Sequence, residues 1–408
     1  MIEVIQGKPF KVLTLGFIFV ARTRNVSNKE SFSFEGNKPR ILLLAAINSA
    51  HTRKWALSLA ENGFEVGLFS LHKVKTNWMA DKENIKVLYS PEDDEISSSI
   101  SKIFFPFSLP QLKNAIRKFK PDIVHAHYAS SYGFMAALSG FHPFILSVWG
   151  SDVYDFPKIS LQHRLLFKFN LRRADKICST SNTMKEEIKK YTNKDVYVTP
   201  FGVDINVFKP FYVPHVFNDK SIVIGTVKTL EKKYGIEYLI DAFALLRRRA
   251  REFPLKLLIV GQGSLDSILK TKVRDLGIEA ETIFTGLIPP AEIPSYQNML
   301  SISVFPSENE SFGVAVVEAM ACEKPVIVTD VGALPEVVEN GVTGLVVPPA
   351  NPQKISEAIE MLVRDEQLRI KLGKQGRQRV EKLYNWENNL ATMIDIYKEA
   401  LAEKSKKK

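Results

Sequence analysis

Cysteine is scarce in this chain: Cys178 and Cys322 are the only two in 408 residues. They lie far apart in unrelated settings. That spacing excludes a disulfide framework and a cysteine-based zinc site, and it fits a reducing cytosol. Each reads as a small buried apolar residue. Long apolar runs are missing as well. The nearest candidate, residues 12–21, is hemmed in by Lys11, Arg22 and Arg24, too short to cross a bilayer as a helix. No clear small-residue cleavage site follows it, so it is a poor secretory signal. A strand, or an extension outside the core fold, suits it better, and the polar residues 25–39 read as a linker. Acidic side chains are the scarcer charge, with 45 Asp and Glu against 55 Lys and Arg and a net charge of +10. Such a balance favours polyanions: nucleic acid, an anionic membrane or phosphate-bearing substrates. No zinc-finger or RNP-like signature accompanies it, so nucleic acid is set aside as a partner. The lysine-rich tail at 404–408 reads as a solvated end.

What is present is length and alternation. A chain of 408 residues with 45% hydrophobic content exceeds one compact core, so two domains are expected. From residue 40, short apolar runs at 41–46, 65–69, 85–89, 122–126, 144–149, 176–179 and 196–199 read as strands, with helices at 52–61 and 109–119. Residues 200–217 are rich in proline and aromatics and lack periodicity, so they read as a connector. A second alternation follows, with strands at 222–227, 255–260, 282–285, 302–305, 326–329 and 344–347 and helices at 235–249, 264–276, 312–321 and 353–363. Short apolar strands alternating with helices imply parallel sheets covered on both faces. The expected fold is α/β: two doubly wound, Rossmann-like domains facing across a cleft, with ligands at the carboxyl ends of the strands. The expected division is an extension at 1–39, a first domain at 40–205 and a second at 206–384. Residues 364–402 are helical and charged with no strand after them. They are expected to pack across both halves, the part from about 385 lying back on the first.

One segment points to chemistry. In Pro306-Ser-Glu-Asn-Glu310-Ser-Phe-Gly313-Val-Ala-Val-Val-Glu318, two glutamates stand eight residues apart between a strand end and a helix. A strand, a short polar loop and a helix N-terminus present backbone N–H groups and a positive dipole end, a ready phosphate site. Carboxylates beside a phosphate are costly unless they accept from hydroxyls. Sugar and ribose hydroxyls fit that need, so the segment points to a nucleotide-sugar site.

These residues also carry a resemblance. Over about residues 40–400 the chain resembles the retaining nucleotide-sugar glycosyltransferases of the GT-B fold, glycosyltransferase family 4. The specific motif is Glu310-x7-Glu318 with its flanks, Pro-Ser-x-x-Glu-Ser-Phe-Gly before and Glu-Ala-Met-Ala-Cys-x-Lys-Pro-Val-Ile after, and Gly332-Ala-Leu-Pro-Glu336 downstream. The resemblance implies that Glu310 contacts donor-sugar hydroxyls and Glu318 the nucleotide ribose. Eight helical residues rise about 12 Å, roughly the span of a diphosphate between sugar and ribose. The main chain at Ser311, Phe312, Gly313 and Val314 would face sugar or phosphate. Lys228 and Lys233 resemble the cationic pair that neutralises the departing diphosphate. Lys228 stands where arginine is usual, and Lys232 is the alternative to Lys233. Gly261-Gln-Gly263-Ser matches a strand-to-glycine turn beside the nucleotide, with Ser264 in place of a usual proline. Leu287 and Ile288 match the stretch whose backbone meets the base. His125-Ala-His127 resembles a strand end whose cleft histidine touches the donor sugar beside the reacting centre. That role falls to His127, with His125 in support. Trp149-Gly-Ser-Asp152 resembles a turn in which histidine often replaces the tryptophan, and Asp152 either orients an acceptor or caps a helix. After the first strand the family often has two glycines. Here Ser49 and Ala50 hold that place, and His51, Arg53 and Lys54 are candidates for acceptor recognition.

The implied activity is metal-independent, retaining transfer from a UDP- or GDP-linked sugar to a carbohydrate or lipid-linked acceptor, in cell-surface polysaccharide or glycolipid synthesis. No cofactor or metal is expected beyond the donor itself. A cytoplasmic place follows, with peripheral contact on an anionic membrane. Aromatic residues 103–107 beside Lys113, Arg117, Lys118 and Lys120 fit such contact, although their burial is the competing reading. Two rivals stand beside the transferase: a GT-B sugar-nucleotide epimerase and a non-catalytic sugar-nucleotide-binding protein. The flanks of Glu310 and Glu318 weigh against the first. The intact set of Glu310, Glu318, Lys228 and Lys233 weighs against the second.

Overall fold

The computed structural model describes residues 38–92, 108–214, 216–217 and 219–406. Near-continuous Ile, Leu and Val runs make strands that are apolar on both faces, and such strands pair in parallel between two helical layers. The first sheet holds β1 (Arg40–Leu44), β2 (Glu65–Phe69), β3 (Ile85–Tyr89), β4 (Ile123–His127), β5 (Phe144–Ser147), β6 (Lys176–Ser179) and β7 (Val196–Val198). Its spatial order is β3-β2-β1-β4-β5-β6-β7. The second holds β8 (Ile222–Val227), β9 (Leu255–Val260), β10 (Thr282–Phe284), β11 (Ile302–Phe305), β12 (Val326–Thr329) and β13 (Leu345–Val347), in the order β10-β9-β8-β11-β12-β13. Winding reverses between β1 and β4 and again between β8 and β11. At such a point the loops after neighbouring strands part to opposite faces and leave a crevice.

Several boundaries differ from expectation for identifiable reasons. The helix expected from 312 starts later, as Val314–Ala321, because Gly313 with φ 99° precedes it and 310–313 stay in the loop. The helical region expected at 364–402, with its part from about 385 lying back on the first domain, is two helices, Glu366–Leu383 and Trp386–Lys406. Between them Asn385 bridges Val203 in parallel. The Val203 N–H donates to the Tyr384 carbonyl at 2.9 Å, and the Trp386 N–H donates to the Val203 carbonyl at 3.0 Å. The chain therefore passes between the halves twice, side by side. Residues 150–173 fold as Ser151–Tyr154, Phe156–Ile159 and Leu161–Arg173. The first two are single turns too short to show a period. In the third, leucines on the exposed side blur it. The aromatic stretch at 103–107 and residues 12–21 lie outside the described residues. The helix Leu109–Phe119 buries Leu112, Ala115 and Phe119 and leaves Lys113, Arg117 and Lys118 exposed. No helix among the described residues is long and apolar enough to cross a membrane.

Helix Trp386–Lys406 lies on the first half. The Trp386 indole donates to Ser58 Oγ at 2.8 Å, and the Lys176 ammonium donates to Glu399 at 2.7 Å and Glu403 at 2.8 Å. Deeper in, the Tyr397 hydroxyl meets His125 Nδ1 at 2.7 Å, and His125 Nε2 meets Ser147 Oγ at 2.8 Å. The preceding helix Glu366–Leu383 belongs to the second half, where Arg377 donates to the Ala321 carbonyl at 2.5 Å. Removing only the buried hydroxyl, as in Tyr397→Phe, strands His125 Nδ1. The expected cost is about 1–2 kcal/mol, read as a lowered urea midpoint with an unchanged slope. A midpoint equal to wild type would show that the bond does not hold this helix.

Candidate active site

The two crevices face each other across a cleft of about 490 Å³. Its first-half wall includes Ala50, His51, Lys54, Phe201 and Trp386, and its second-half wall includes Lys228, Leu287, Ile288, Val314 and Glu318.

The second-half wall follows from strand order. Lys228 comes directly after β8, and Glu310 lies in the loop after β11. Because β8 and β11 are neighbours, the two side chains meet. Lys228 Nζ stands 2.6 Å from Glu310 Oε2, with 14% and 12% of the two side chains exposed. The Lys228 ammonium also lies 4.1 Å over the Tyr234 ring, and Lys233 approaches the same ring at 4.9 Å. One aromatic ring thus gathers both predicted cations. Main-chain bonds fix their loops to each other: the Glu308 and Asn309 N–H groups donate to the Lys233 carbonyl at 2.9 and 3.2 Å. Glu231 accepts from the Ser264 N–H at 2.9 Å and its hydroxyl at 2.6 Å, joining the loops after β8 and β9. The residue standing in place of proline thus has a structural use. Gly332, with φ 53°, lies against the Glu310 carbonyl with no room for a Cβ. That close approach explains why the downstream Gly332 motif belongs with Glu310.

Glu318 faces the cleft from helix Val314–Ala321. Burial pushes its carboxyl up to about 7, while Lys54 and Lys228 pull it down. Opposite, the Lys54 ammonium donates to the Gly202 carbonyl at 2.8 Å and lies 4.1 Å over the Trp386 ring. Burial lowers Lys54 to about 8, against upward pulls from Glu318 and Asp204. His51 stacks on Phe201 at 4.3 Å. Burial, then Lys54, lowers it to about 4, so it is neutral at pH 7. The cleft floor therefore holds an acid and a base that both titrate near neutrality.

Other expected residues stand elsewhere. His127, expected nearer the cleft, is only 1% exposed. The Trp149 ring lies 4.3 Å away and the His125 ring 4.7 Å. Neither nitrogen of His127 has a hydrogen-bond partner among the described residues, and burial holds its pKa well below the ordinary value. The physical reason is size, since the Trp149 indole fills a place that an imidazole would leave more open. His125 is taken by Tyr397 and Ser147. Asp152 accepts from the N–H groups of Ala129 at 2.7 Å, Gly150 at 2.8 Å and Trp149 at 3.1 Å, so it ties loops together. Phe312 turns into the seam between the halves, 6.0 Å from Phe201 and 5.5 Å from Tyr384. Ser311 packs against Gly150 across that seam, and Gly263 packs on the Leu230 main chain rather than on the cleft. Gly261 and Gln262 line the cleft instead. Ser49 precedes helix Ala50–Glu61 without a side-chain cap bond, and Arg53 is exposed.

Known proteins share this fold. Residues 210–379 match the family model described as Glycosyl transferases group 1, and residues 40–181 match the one described as Glycosyl transferase 4-like. The chain is a GT-B glycosyltransferase. An uncharacterized glycosyltransferase of Methanocaldococcus jannaschii is 29% identical over 296 residues, 70% of this chain and 78% of the relative. Across other curated relatives the matched share ranges from 50% to 93% of their length. Sucrose-phosphate synthase from Thermosynechococcus elongatus superposes with a TM-score of 0.75 at 21% identity, covering 90% of this chain and 100% of that one. Anabaena HepE, solved with UDP, superposes with a TM-score of 0.73 at 17% identity over 88% of this chain and 100% of its own.

Sequence reasoning missed several residues that shape the cleft of this glycosyltransferase: Phe201, Gly202, Asp204 and Trp386. They arrive through the interdomain crossings, which have no periodicity to read. One signal was available, the density of aromatics in a connector otherwise expected to be polar. The Glu318 environment predicts a pH signature. Its folded pKa lies above the ordinary 4.5, so its ionisation costs stability. The cost is complete above pH 7 and vanishes as pH falls through 4.5. Glu318→Gln is therefore expected to raise the melting temperature at pH 8 and leave it unchanged near pH 4.5. An equal shift at both pH values would refute this.

Proposed function

We propose that this glycosyltransferase transfers a sugar from a nucleoside diphosphate sugar to an acceptor hydroxyl, with retention of configuration and without a metal. The observation that carries the reading is the Lys228–Glu310 pair at the second crevice, with Glu318 on the helix that follows. Lys228 and Lys233 are proposed to take the diphosphate, Glu310 the sugar hydroxyls and Glu318 the ribose. The main chain at 311–314 and at Ser49 and Ala50 would approach the phosphates and sugar, and Leu287 and Ile288 the base. His127 is proposed to meet the donor sugar once Trp149 yields.

The pair suggests an exchange of partners. On arrival, the diphosphate draws Lys228 away and leaves Glu310 to accept from the sugar. Fixed cations beside a leaving phosphate stabilise the charge that develops there. In the transfer, the bond from the anomeric carbon to the phosphate oxygen breaks, and a bond to the acceptor oxygen forms on the same face. The acceptor proton passes to the departing phosphate. UDP, the ligand named for HepE, is the first donor nucleotide to test. A carbohydrate or lipid-linked acceptor, in polysaccharide or glycolipid synthesis on the cytoplasmic face of a membrane, suits the basic surface.

The test is a panel of UDP- and GDP-sugars with product anomers assigned by NMR. Glu310→Ala and Lys233→Ala are each expected to lower turnover about 10²–10³-fold with the fold retained by circular dichroism; Glu310→Ala also lowers the melting temperature, because it leaves the buried Lys228 without its carboxylate. Wild-type turnover in both variants would sink the site assignment, and an inverted product would sink retention.

A further inference from the structure

Residues 156–173 hold Lys158, Arg164, Lys168, Arg172 and Arg173 and not one Asp or Glu. In the same stretch three large aliphatic side chains face solvent: Ile159 is 65% exposed, Leu161 68% and Leu165 57%. A single exposed leucine is ordinary, but a contiguous apolar group within a basic field calls for a partner. Helical geometry makes it contiguous. At about 100° per residue, Leu161, Arg164, Leu165, Lys168 and Arg172 share one arc of roughly 100°. Two rows run side by side, Leu161 and Leu165 in one and Arg164, Lys168 and Arg172 in the other. Ile159 joins the apolar row across Ser160, whose hydroxyl caps the helix by accepting from the His163 N–H. The adjoining face holds Phe167, Asn170 and Leu171 in the core, so the helix cannot roll to hide its leucines. Arg164, Lys168 and Arg172 have no ion pair among the described residues, and Lys158 reaches Glu187 only at 3.9 Å.

We propose that this face, Phe156–Ile159 with Leu161–Arg173, docks the protein on an anionic lipid bilayer. Aliphatic side chains entering the interface beside cations that meet headgroup phosphates is the chemistry of an in-plane amphipathic helix. The charge decides among occupants: a second copy of this chain would bring the same cations against these. Position gives the docking a purpose. Ser151–Tyr154 leads from Gly150, which packs on Ser311 of the second half, directly into the patch. A bilayer on this face would lie beside the rim of the cleft, on the first-half side. Docking of this kind does not depend on which donor the cleft takes.

The full chain is sedimented with vesicles of phosphatidylcholine alone and with vesicles that also contain phosphatidylglycerol. Binding is expected only to the anionic vesicles, and high salt is expected to weaken it. Leu161→Ser with Leu165→Ser, and separately Arg164→Glu with Lys168→Glu, are each expected to weaken it by about tenfold or more. The charge-keeping pair Arg164→Lys with Lys168→Arg is expected to retain it. All are surface positions, and unchanged melting together with unchanged UDP binding confirms intact folding. Absence of vesicle binding by wild type overturns the proposal. So does binding that both disruptive pairs leave intact, which would assign the membrane to another surface. Sedimentation velocity showing self-association that Leu165→Ser abolishes would instead give the face to a second copy and equally overturn it.

Discussion

Everything in the cleft depends on the paired crossing at Val203 and Asn385. Two parallel-sheet domains flank the cleft, but their facing crevices form a site only if the chain returns to the first half where it left. The crossing does this with two main-chain hydrogen bonds, each worth about 1 kcal/mol net. A run of rings adds to it: Trp149 to Phe201 at 5.3 Å, Phe201 to Phe312 at 6.0 Å and Phe312 to Tyr384 at 5.5 Å. Both Phe201 and Tyr384 are crossing residues. The seam is therefore made of the same segments that join the domains, and Lys54 grips it at the Gly202 carbonyl.

The electrostatic arrangement follows from that closeness. Bringing the walls together removes water from Lys54, Glu318, Lys228 and Glu310. Burial alone would penalise every one of these charges. Each has been given a partner of the opposite sign or an aromatic face, and the partners come from different elements. Lys228 and Glu310 are paired because neighbouring strands end beside each other. Lys54 and Glu318 are opposed because two domains meet. The first relationship is built into one sheet and survives any opening of the cleft, whereas the second exists only when the halves are close.

Legibility in the sequence divides along the same line. The two sheets were readable because buried parallel strands leave short apolar runs at regular spacing, alternating with longer helical segments. Glu310, Glu318 and Lys228 were readable because short loops after strands keep a fixed motif. The gathering of Lys228 and Lys233 on Tyr234 was not, since the inserted tyrosine looked like a break in the pattern rather than a shared surface. Nor could sequence see that Trp149 would cover His127, because alternation tells which side a strand residue faces and not what stands in front of it. A change of partner near 385 was expected, but continuous helical composition on both sides gave the break itself no punctuation, and the tertiary bridge to Val203 is what interrupts the helix. Asp152 shows the remaining ambiguity, where a carboxylate in a turn gives no sign whether its acceptors are filled from within.

The chain has four tryptophans, Trp55, Trp78, Trp149 and Trp386, and their placement around the crossing has an optical consequence. Trp55 and Trp386 line the cleft and meet edge to face at 4.7 Å. Trp149 covers His127, and the Trp78 indole donates to the Ile47 carbonyl at 3.2 Å, in the loop after β1. The second sheet and its helices carry none. Tryptophan fluorescence from this protein is therefore emission from the first-half wall and the crossing alone. Because Trp149 meets Phe201 at 5.3 Å and Phe201 meets Phe312 of the second half at 6.0 Å, a change in the approach of the halves is written into the emission spectrum without any label.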